Sequence, residues 1–140
     1  MLSSYPFLCG TVWNARSNPA QGEFVFIVSR ECRDVSPSEA ESYILGYTIG
    51  NDLSCRLYQM PDQAGGQFFF AKAFDKFAPL GPTLISPEIF DGGKGFNLVT
   101  RVNGKVVQEV EILKDIIFKP AQILSFMSQG MARNFCFGHD

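Results

Sequence analysis

The sequence predicts an α+β domain in which strands predominate. The segment EFVFIVSR, residues 23–30, is a nearly continuous run of β-branched and aromatic residues, as in a strand buried on both faces. A second signal is NLVTRV-NG-KVVQEVEI, in which Asn103 and Gly104 tolerate the positive φ of a type I′ turn and predict a hairpin. The two helices that the sequence predicts are short, whereas regular βαβ alternation would need longer ones.

The first helix is predicted soon after the first strand. Ser36 is suited to cap it, Pro37 fits its first turn, and Glu39 completes a capping box. The run YTI, residues 47–49, returns to strand character. The segment FFFAKAFDKF, residues 68–77, contains five phenylalanines, and we expect most of them to be buried in the core.

The C-terminal half predicts one further strand and one further helix. TLIS, residues 83–86, indicates a short strand. Pro120 fits a first helical turn, Ile123 and Met127 share a face of that helix, and Gly130 is suited to end it. The sequence MARNFCFGHD then lacks a clear pattern, so we expect the ordered part to end at Gly130 and to leave a sheet edge unpaired.

Size, composition and charge limit the classes of function. A chain of 140 residues with 46% hydrophobic and 19% charged residues indicates one globular domain. A net charge of −2 gives no general attraction to nucleic acid or to an anionic membrane. No apolar run approaches the ~20 residues of a membrane span, and the start lacks a secretory signal pattern. We therefore expect a cytoplasmic protein, with a mitochondrial address left open, and neither nucleic acid nor membrane as a partner.

The cysteines and the single histidine also exclude some chemistries. Cys9, Cys32, Cys55 and Cys136 form no C-x-x-C pair, so a zinc ribbon or a thioredoxin-type site is not expected. Buried thiols in a reducing compartment are the simpler interpretation. His139 lies next to the end of the sequence given, which argues against a Ser–His–Asp or Cys–His mechanism.

Five polar side chains stand out because their neighbours in sequence are apolar: Glu23, Asp52, Arg56, Gln59 and Lys72. Burying any of them alone would be costly, so each needs a partner. Two carboxylates at strand ends are typical ligands of a hard cation such as Mg²⁺. An arginine offers a planar fork for a carboxylate, and a lysine among aromatic residues neutralises a developing oxyanion. The set predicts a site for an anionic, oxygen-rich small molecule held on a metal ion.

Ordinary structural roles remain open for the same residues. Glu23 fits a solvent-exposed charge at a strand edge, and Asp52 with Arg56 fits a local ion pair that caps a turn. Lys72 fits a side chain that extends from an aromatic layer to water. The GGKG segment, residues 92–95, lacks the strand before it and the helix after it that a phosphate-binding loop needs, so we interpret it as a turn.

Four sequence blocks follow one another in a distinctive order: GYTIGNDLSCRLYQ, GGQFFFAKAFDKFAPLGPTLIS, LVTRVNGKVVQE and IIFKPAQILSFMSQG. In this order, over about residues 20–130, they resemble the fumarylacetoacetate hydrolase family. The similarity is closest to its small single-domain members, of the acylpyruvase and oxaloacetate decarboxylase or tautomerase type. The resemblance implies a mixed β-roll or sandwich fold, a homodimer, and a Mg²⁺ or Mn²⁺ ion held by an E-x-E pattern and by the aspartate of N-D-x-S-x-R.

The resemblance also implies a role for each residue that matches the family's motifs. Asp52 matches the aspartate that binds the metal ion. Arg56 and Gln59 match the arginine and glutamine that contact the substrate. Lys72 matches the active-site lysine, a catalytic and substrate-binding residue that faces the substrate's oxygen atoms.

The sequence departs from the family pattern in three places. Glu23 matches the second, metal-binding glutamate of E-x-E, but Gln21 takes the place of the first, and a neutral amide is a weaker ligand for Mg²⁺. Residues 1–20, which we expect to be irregular, contain neither the His nor the Glu of the family's lid-like segment. Residues 131–140 form an atypical tail in place of the family's PGD…TGTP segment. We therefore expect residues 21–130 to be a partial catalytic domain with an incomplete roll.

Two functions stay open at the level of the sequence. The first is a divalent-metal-dependent hydrolase, decarboxylase or tautomerase of a 2-oxo or β-diketo acid, such as an acylpyruvate, oxaloacetate or a fumarylacetoacetate-like compound. The second is a truncated, non-catalytic relative that binds a metal ion or a partner subunit weakly. Enolisation or decarboxylation would tolerate the loss of positioned acid and base groups better than C–C hydrolysis, which needs an activated water.

Overall fold

A computed structural model describes residues 20–65, 67–130 and 136–139, and it contains both strands and helices, as expected of an α+β fold. The strands are β1 (Ala20–Val28), β2 (Ile44–Leu53), β3 (Asn97–Val102), β4 (Lys105–Glu111) and β5 (Cys136–His139). The α-helices are α1 (Pro37–Ala40), α2 (Pro61–Ala64), α3 (Phe69–Lys72), α4 (Pro87–Phe90), α5 (Ile112–Asp115) and α6 (Pro120–Met127). None of the helices in these ranges is long and apolar enough to cross a membrane.

The chain divides into two compact units. Of the described residues, the smaller unit contains 20–21, 51–65 and 67–79, and the larger unit contains 22–50, 80–130 and 136–139. Residues 1–19, which cover almost all of the segment expected to be irregular, lie outside the described residues.

The main sheet has the strand order β2-β1-β5. β5 pairs antiparallel with β1, with Phe24 opposite His139 and Ile27 opposite Cys136. The expectation that the ordered part of the chain ends at Gly130 is therefore wrong. In this sheet β1 has β2 on one side and β5 on the other. A strand of four residues is shorter than the usual five or six, which leaves too few positions for a recognisable alternation.

The predicted hairpin is confirmed as β3 and β4, which pair antiparallel. Asn103 and Gly104 connect the strands with φ values of 51° and 80°, which is the conformation that favours these two residue types. The register shifts between Thr100 and Arg101, where a bulge interrupts the alternation of the two faces.

The predicted helix starts are also confirmed. The backbone N–H of Ser36 donates to Glu39 Oε2 at 3.2 Å and its hydroxyl donates to the same oxygen at 2.6 Å, so the capping box forms. These hydrogen bonds hold the pKa of Glu39 below its ordinary value. The second predicted helix is α6, which begins at Pro120, and Gly130 follows it with a φ of 69°.

The predicted strand at residues 83–86 is wrong in extent. Only one isolated bridge forms, between Ile85 and Tyr47, with N–H to O distances of 2.8 and 2.9 Å. Pro82 and Pro87 flank this segment and have no N–H to donate, which limits how far a ladder extends.

The core of the larger unit is built around three aromatic rings. Phe24 from β1 stacks on Tyr47 from β2 at 5.3 Å between centroids, and Tyr47 lies 4.1 Å from Phe90 of α4. Tyr47 is only 3% exposed, and this burial, with a smaller contribution from the negative charge of Glu41, raises its pKa to about 12. Other buried members of the core are Phe26, Val28, Cys32, Val35, Ala40, Ile44, Leu98, Ile112 and Leu124.

The phenylalanine run of the smaller unit does not form a core, so that expectation is wrong. Phe68, Phe69 and Phe70 are exposed, Phe69 to 83%. Phe74 and Phe77 are half-buried. Consecutive residues of a helical turn point about 100° apart, so three adjacent rings at the start of α3 do not share one buried face.

The described cysteines fit the expectation of buried thiols. Cys32 and Cys55 are both buried, and neither is in a disulfide. Cys9 lies outside the described residues, and the side chain of Cys136 is not described either.

Candidate active site

The C-terminal end of β2 places Asp52 inside the smaller unit, where the residue is only 7% exposed. Lys72 is the last residue of α3, and its Nζ donates to Asp52 Oδ2. A backbone hydrogen bond of 2.9 Å from the N–H of Cys55 to the carbonyl of Ala71 ties α3 to the end of the strand. This contact explains how two residues twenty positions apart form an ion pair.

Arg56 does not form the local ion pair with Asp52 that the sequence left open. The residue begins a 3₁₀ turn, Arg56–Gln59, and its Nη1 donates to Gln59 Oε1 at 2.7 Å. Its Nη2 donates to Gln21 Oε1 at 3.4 Å. Because both acceptors are neutral amides, these contacts orient the guanidinium without neutralising its charge.

Two buried oxygen atoms, from residues close to Asp52 in the sequence, were missed in the sequence interpretation. Asn51 Oδ1 and Ser54 Oγ are buried and have no hydrogen-bond partner among the described residues. Leaving such atoms unpaired costs free energy, which makes them candidates for an unrecorded partner. The signal was present in the N-D-x-S pattern, because Asn51 and Ser54 are polar residues close to Asp52 in the sequence.

Glu23 lies in β1 and belongs to the larger unit, so the convergence of Glu23 with Asp52 stays a prediction. The residue before it, Gly22, is held by two hairpin side chains. The Gly22 N–H donates to Thr100 Oγ1 at 3.2 Å and to Gln108 Oε1 at 3.1 Å, and Gln108 Nε2 donates to the Gly22 carbonyl at 3.1 Å. A Cβ at Gly22 would meet Thr100 Oγ1 at 2.3 Å, so this approach requires glycine.

Two oxygen atoms at the end of β2 fit a hard divalent cation in chemical type. Asp52 supplies a buried carboxylate, and Ser54, two positions further on, supplies an unpaired hydroxyl oxygen; Mg²⁺ and Mn²⁺ prefer oxygen ligands of this kind. Asn51 precedes Asp52 within the strand, where successive side chains point to opposite faces, so its Oδ1 is not counted with them. Within residues 20–65, 67–130 and 136–139, no group of three or more His, Cys, Asp or Glu is arranged to hold a metal ion. Sites for Mg²⁺ often use only one or two carboxylates and complete the shell with water and substrate.

Comparison with known proteins assigns the family. The model of the fumarylacetoacetate (FAA) hydrolase C-terminal domain matches residues 13–137 of this chain. The chain belongs to the fumarylacetoacetate hydrolase family. The match includes β1 to β4, the first two residues of β5, and all four residues of the smaller unit that the sequence analysis selected, Asp52, Arg56, Gln59 and Lys72.

Individual family members show the extent of the similarity. An uncharacterised protein of Archaeoglobus fulgidus is 44% identical over 111 residues, which cover 79% of this chain and 42% of that protein. A mitochondrial oxaloacetate tautomerase of Xenopus laevis is 28% identical over 114 residues, which cover 81% of this chain and 35% of the tautomerase. The chain therefore spans about two fifths of the length of these relatives.

Solved structures support the same fold. The crystal structure of 5-carboxymethyl-2-hydroxymuconate delta-isomerase from Mycobacterium smegmatis is 33% identical, with a TM-score of 0.70 over 85% of this chain and 45% of the isomerase. The α+β fold predicted for this chain is thus that of the family. At the family level, the named members are enzymes with hydrolase, tautomerase or isomerase activity.

Proposed function

We propose that this chain is the catalytic part of an enzyme that acts on a small 2-oxo or β-diketo acid with the help of Mg²⁺ or Mn²⁺. The observation that carries the proposal is the charge arrangement within the smaller unit. A buried carboxylate, Asp52, is paired with the ammonium of Lys72, and the guanidinium of Arg56 is oriented by the neutral amides of Gln59 and Gln21. Such a unit offers an oxygen ligand to a cation and two positive groups to an anion.

Asp52 would hold the divalent ion, and the role of metal ligand that the resemblance implies for Glu23 stays a prediction. A bound Mg²⁺ or Mn²⁺ supplies a Lewis acid that polarises the carbonyl oxygen atoms of a dicarbonyl substrate. Gln21 is expected to lower the affinity for the ion relative to family members with a glutamate there, because an amide carries no charge.

The basic side chains would recognise the anionic substrate and its developing charge. Arg56 would bind the substrate's carboxylate through its planar fork, and the 2.7 Å hydrogen bond to Gln59 would fix the orientation of that fork. Lys72 would donate a hydrogen bond to the carbonyl oxygen that gains negative charge when the neighbouring carbon loses a proton or a carboxyl group. These roles make Lys72 the catalytic residue, with Arg56 and Gln59 as substrate-binding residues.

Tautomerisation or decarboxylation of oxaloacetate is the reaction that these groups support best. Both reactions develop charge on an enolate oxygen, which a lysine and a cation stabilise directly. Decarboxylation releases CO₂ without removal of a proton by a base, and in tautomerisation water is able to accept the acidic proton between the two carbonyl groups. Hydrolysis of a C–C bond instead needs a positioned base to activate water. The tautomerase activity named for the Xenopus laevis relative and the isomerase activity named for the Mycobacterium smegmatis structure favour the same class.

A second candidate is a non-catalytic family member that binds a metal ion or a partner weakly. The observation that favours it is Gln21, whose amide oxygen accepts from Arg56 at the position where a carboxylate ligand is expected.

The homodimer implied by the resemblance and the cytoplasmic location both stay predictions. Light scattering coupled to gel filtration measures the first of these directly.

Assays on two substrates separate the candidates. Rates of oxaloacetate tautomerisation and decarboxylation, and of acetylpyruvate cleavage, are measured with Mg²⁺, with Mn²⁺ and after chelation. We expect metal-dependent turnover of oxaloacetate that is lost in Asp52→Ala. Glu111→Ala is the matched control, because it removes a carboxylate from an exposed ion pair with Lys114 instead. Equal rates for the wild-type chain, Asp52→Ala and buffer would favour the non-catalytic candidate.

A further inference from the structure

We propose that Lys72 acts as an internal counter-cation for Asp52, which a divalent ion must displace before the site is ready for substrate. This inference rests on the proposed function, because it concerns the same carboxylate. It goes beyond that function in making Lys72 a competitor of the ion and in fixing the order in which ion and substrate bind.

The ion pair is asymmetric in its exposure to solvent. The side chain of Asp52 is 9% exposed, whereas that of Lys72 is 36% exposed. The carboxylate is therefore fixed at the end of β2, and the ammonium approaches it from the open side on a four-carbon stem. A buried carboxylate needs a compensating cation, and Lys72 Nζ supplies it through Oδ2 in this structure.

A divalent cation and Lys72 would compete for this carboxylate. Lys72 occupies Oδ2, one of the two oxygen atoms that the carboxylate offers to an ion, and two positive charges within a few ångströms disfavour each other. Ser54 Oγ, two positions after Asp52 and without a hydrogen-bond partner, is a further oxygen atom that suits the ion, whereas Asp52 is the one charged partner of Lys72 among the described residues. The ion thus finds a second ligand at the site, and the side chain of Lys72, which is 36% exposed, is able to return its ammonium to solvent.

The exchange would couple ion binding to substrate binding. While Lys72 donates to Asp52, its ammonium is engaged and is not directed at a substrate oxygen. Once the ion has replaced it, the ammonium needs another anionic partner, and an oxo acid supplies one. The ion therefore binds first and the anionic substrate second, and Lys72 links the two events.

Direct binding of Mn²⁺ alone, without substrate, tests the inference. The signal of unbound Mn²⁺ in electron paramagnetic resonance gives the affinity of the wild-type chain, Lys72→Met, Lys72→Arg and Asp52→Asn. Loss of the competing ammonium in Lys72→Met is expected to raise the affinity for Mn²⁺ roughly three- to tenfold. Lys72→Arg keeps the charge but pairs with the carboxylate through two donors, so its affinity is expected to fall below that of the wild type.

The two Lys72 variants change affinity in opposite directions only if the ammonium competes with the ion. Lys72→Arg preserves the charge balance of the fold, so it tests the inference even if Lys72→Met unfolds, which circular dichroism would reveal. If Mn²⁺ binding is lost in Asp52→Asn, the metal site itself is supported. The inference is then overturned if Mn²⁺ affinity is unchanged or weaker in Lys72→Met, or unchanged in Lys72→Arg. Absence of Mn²⁺ binding in the wild type and in every variant would overturn both.

Discussion

The side chain of Gln108 forms a closed pair of hydrogen bonds with the backbone of Gly22. Its Oε1 accepts from the Gly22 N–H and its Nε2 donates to the Gly22 carbonyl, each at 3.1 Å. A side-chain amide from β4 thus replaces the pairing that a neighbouring strand would give at the start of β1. The backbone directly before Glu23 is held in place by this contact, so the hairpin takes part in positioning a predicted metal ligand.

The first prediction is that Gly22→Ala destabilises the fold. The added Cβ would meet Thr100 Oγ1 at 2.3 Å, so either the strand or the hairpin must shift. We expect the free energy of unfolding in urea to fall by about 1–3 kcal/mol, the usual cost of overpacking. The double variant Gly22→Ala/Thr100→Ala should recover part of this loss, because the clashing oxygen is removed. An unchanged unfolding midpoint in Gly22→Ala would show that the close approach does not exist in solution.

A second prediction concerns stability at alkaline pH. Burial raises the pKa of Tyr47 to about 12, above the ordinary value near 10, so the folded chain keeps this proton when the unfolded chain has lost it. The contribution of Tyr47 to stability is therefore fully present below about pH 10 and is lost as the pH rises towards 12. In Tyr47→Phe, the free energy of unfolding should decline less steeply over this interval. Identical slopes for the two chains would contradict the burial of the hydroxyl.

A third prediction addresses the Arg56 fork. Arg56 Nη1 and Nη2 contact Gln59 and Gln21, respectively, and an ammonium does not reproduce this two-branched geometry. For Arg56→Lys we expect the affinity for a 2-oxo acid, measured as KM for oxaloacetate, to weaken about tenfold or more, as when a charge-assisted hydrogen bond is lost. Mn²⁺ affinity in the absence of substrate should stay close to the wild-type value. A large change in Mn²⁺ affinity with an unaltered KM would show that Arg56 affects binding of the ion and not binding of the substrate.

Local signals in the sequence were sufficient for the turns and the helix starts. The hairpin depends on the positive φ of Asn103 and Gly104, and the first capping box depends on Ser36 and Glu39. In both cases the residues that determine the structure are adjacent or three positions apart. Their chemistry is therefore readable without knowledge of the tertiary fold.

Burial and long-range pairing were harder to predict. Phe69 belongs to an apolar run and is nevertheless exposed, because hydrophobicity without a period does not indicate which face a residue takes. β5 is recognisable only through its partner β1, more than a hundred positions away in the sequence. Such pairings depend on the remainder of the fold, so a single short segment does not reveal them.

The candidate site was predicted only in part. The resemblance to the family selected Asp52 and Lys72, whereas the residues alone left open a local pair of Asp52 with Arg56. The structure pairs Asp52 with Lys72 and turns Arg56 towards Gln59 and Gln21. That choice depends on the position of α3, which the sequence did not predict. The unpaired oxygen atoms of the N-D-x-S segment were missed for the same reason, since burial of single atoms is a tertiary property.

The central claim is that the Asp52 carboxylate takes part in metal-assisted enolisation of a 2-oxo acid. The most direct measurement is the ultraviolet-monitored rate of oxaloacetate keto–enol interconversion at saturating Mg²⁺, for the wild-type chain and for Asp52→Asn, with circular dichroism to show that both are folded. We predict metal-dependent catalysis by the wild type and a loss of roughly a hundredfold or more in Asp52→Asn, the scale expected when a charged group at the reaction centre is removed. Equal rates for the two folded chains would contradict the account.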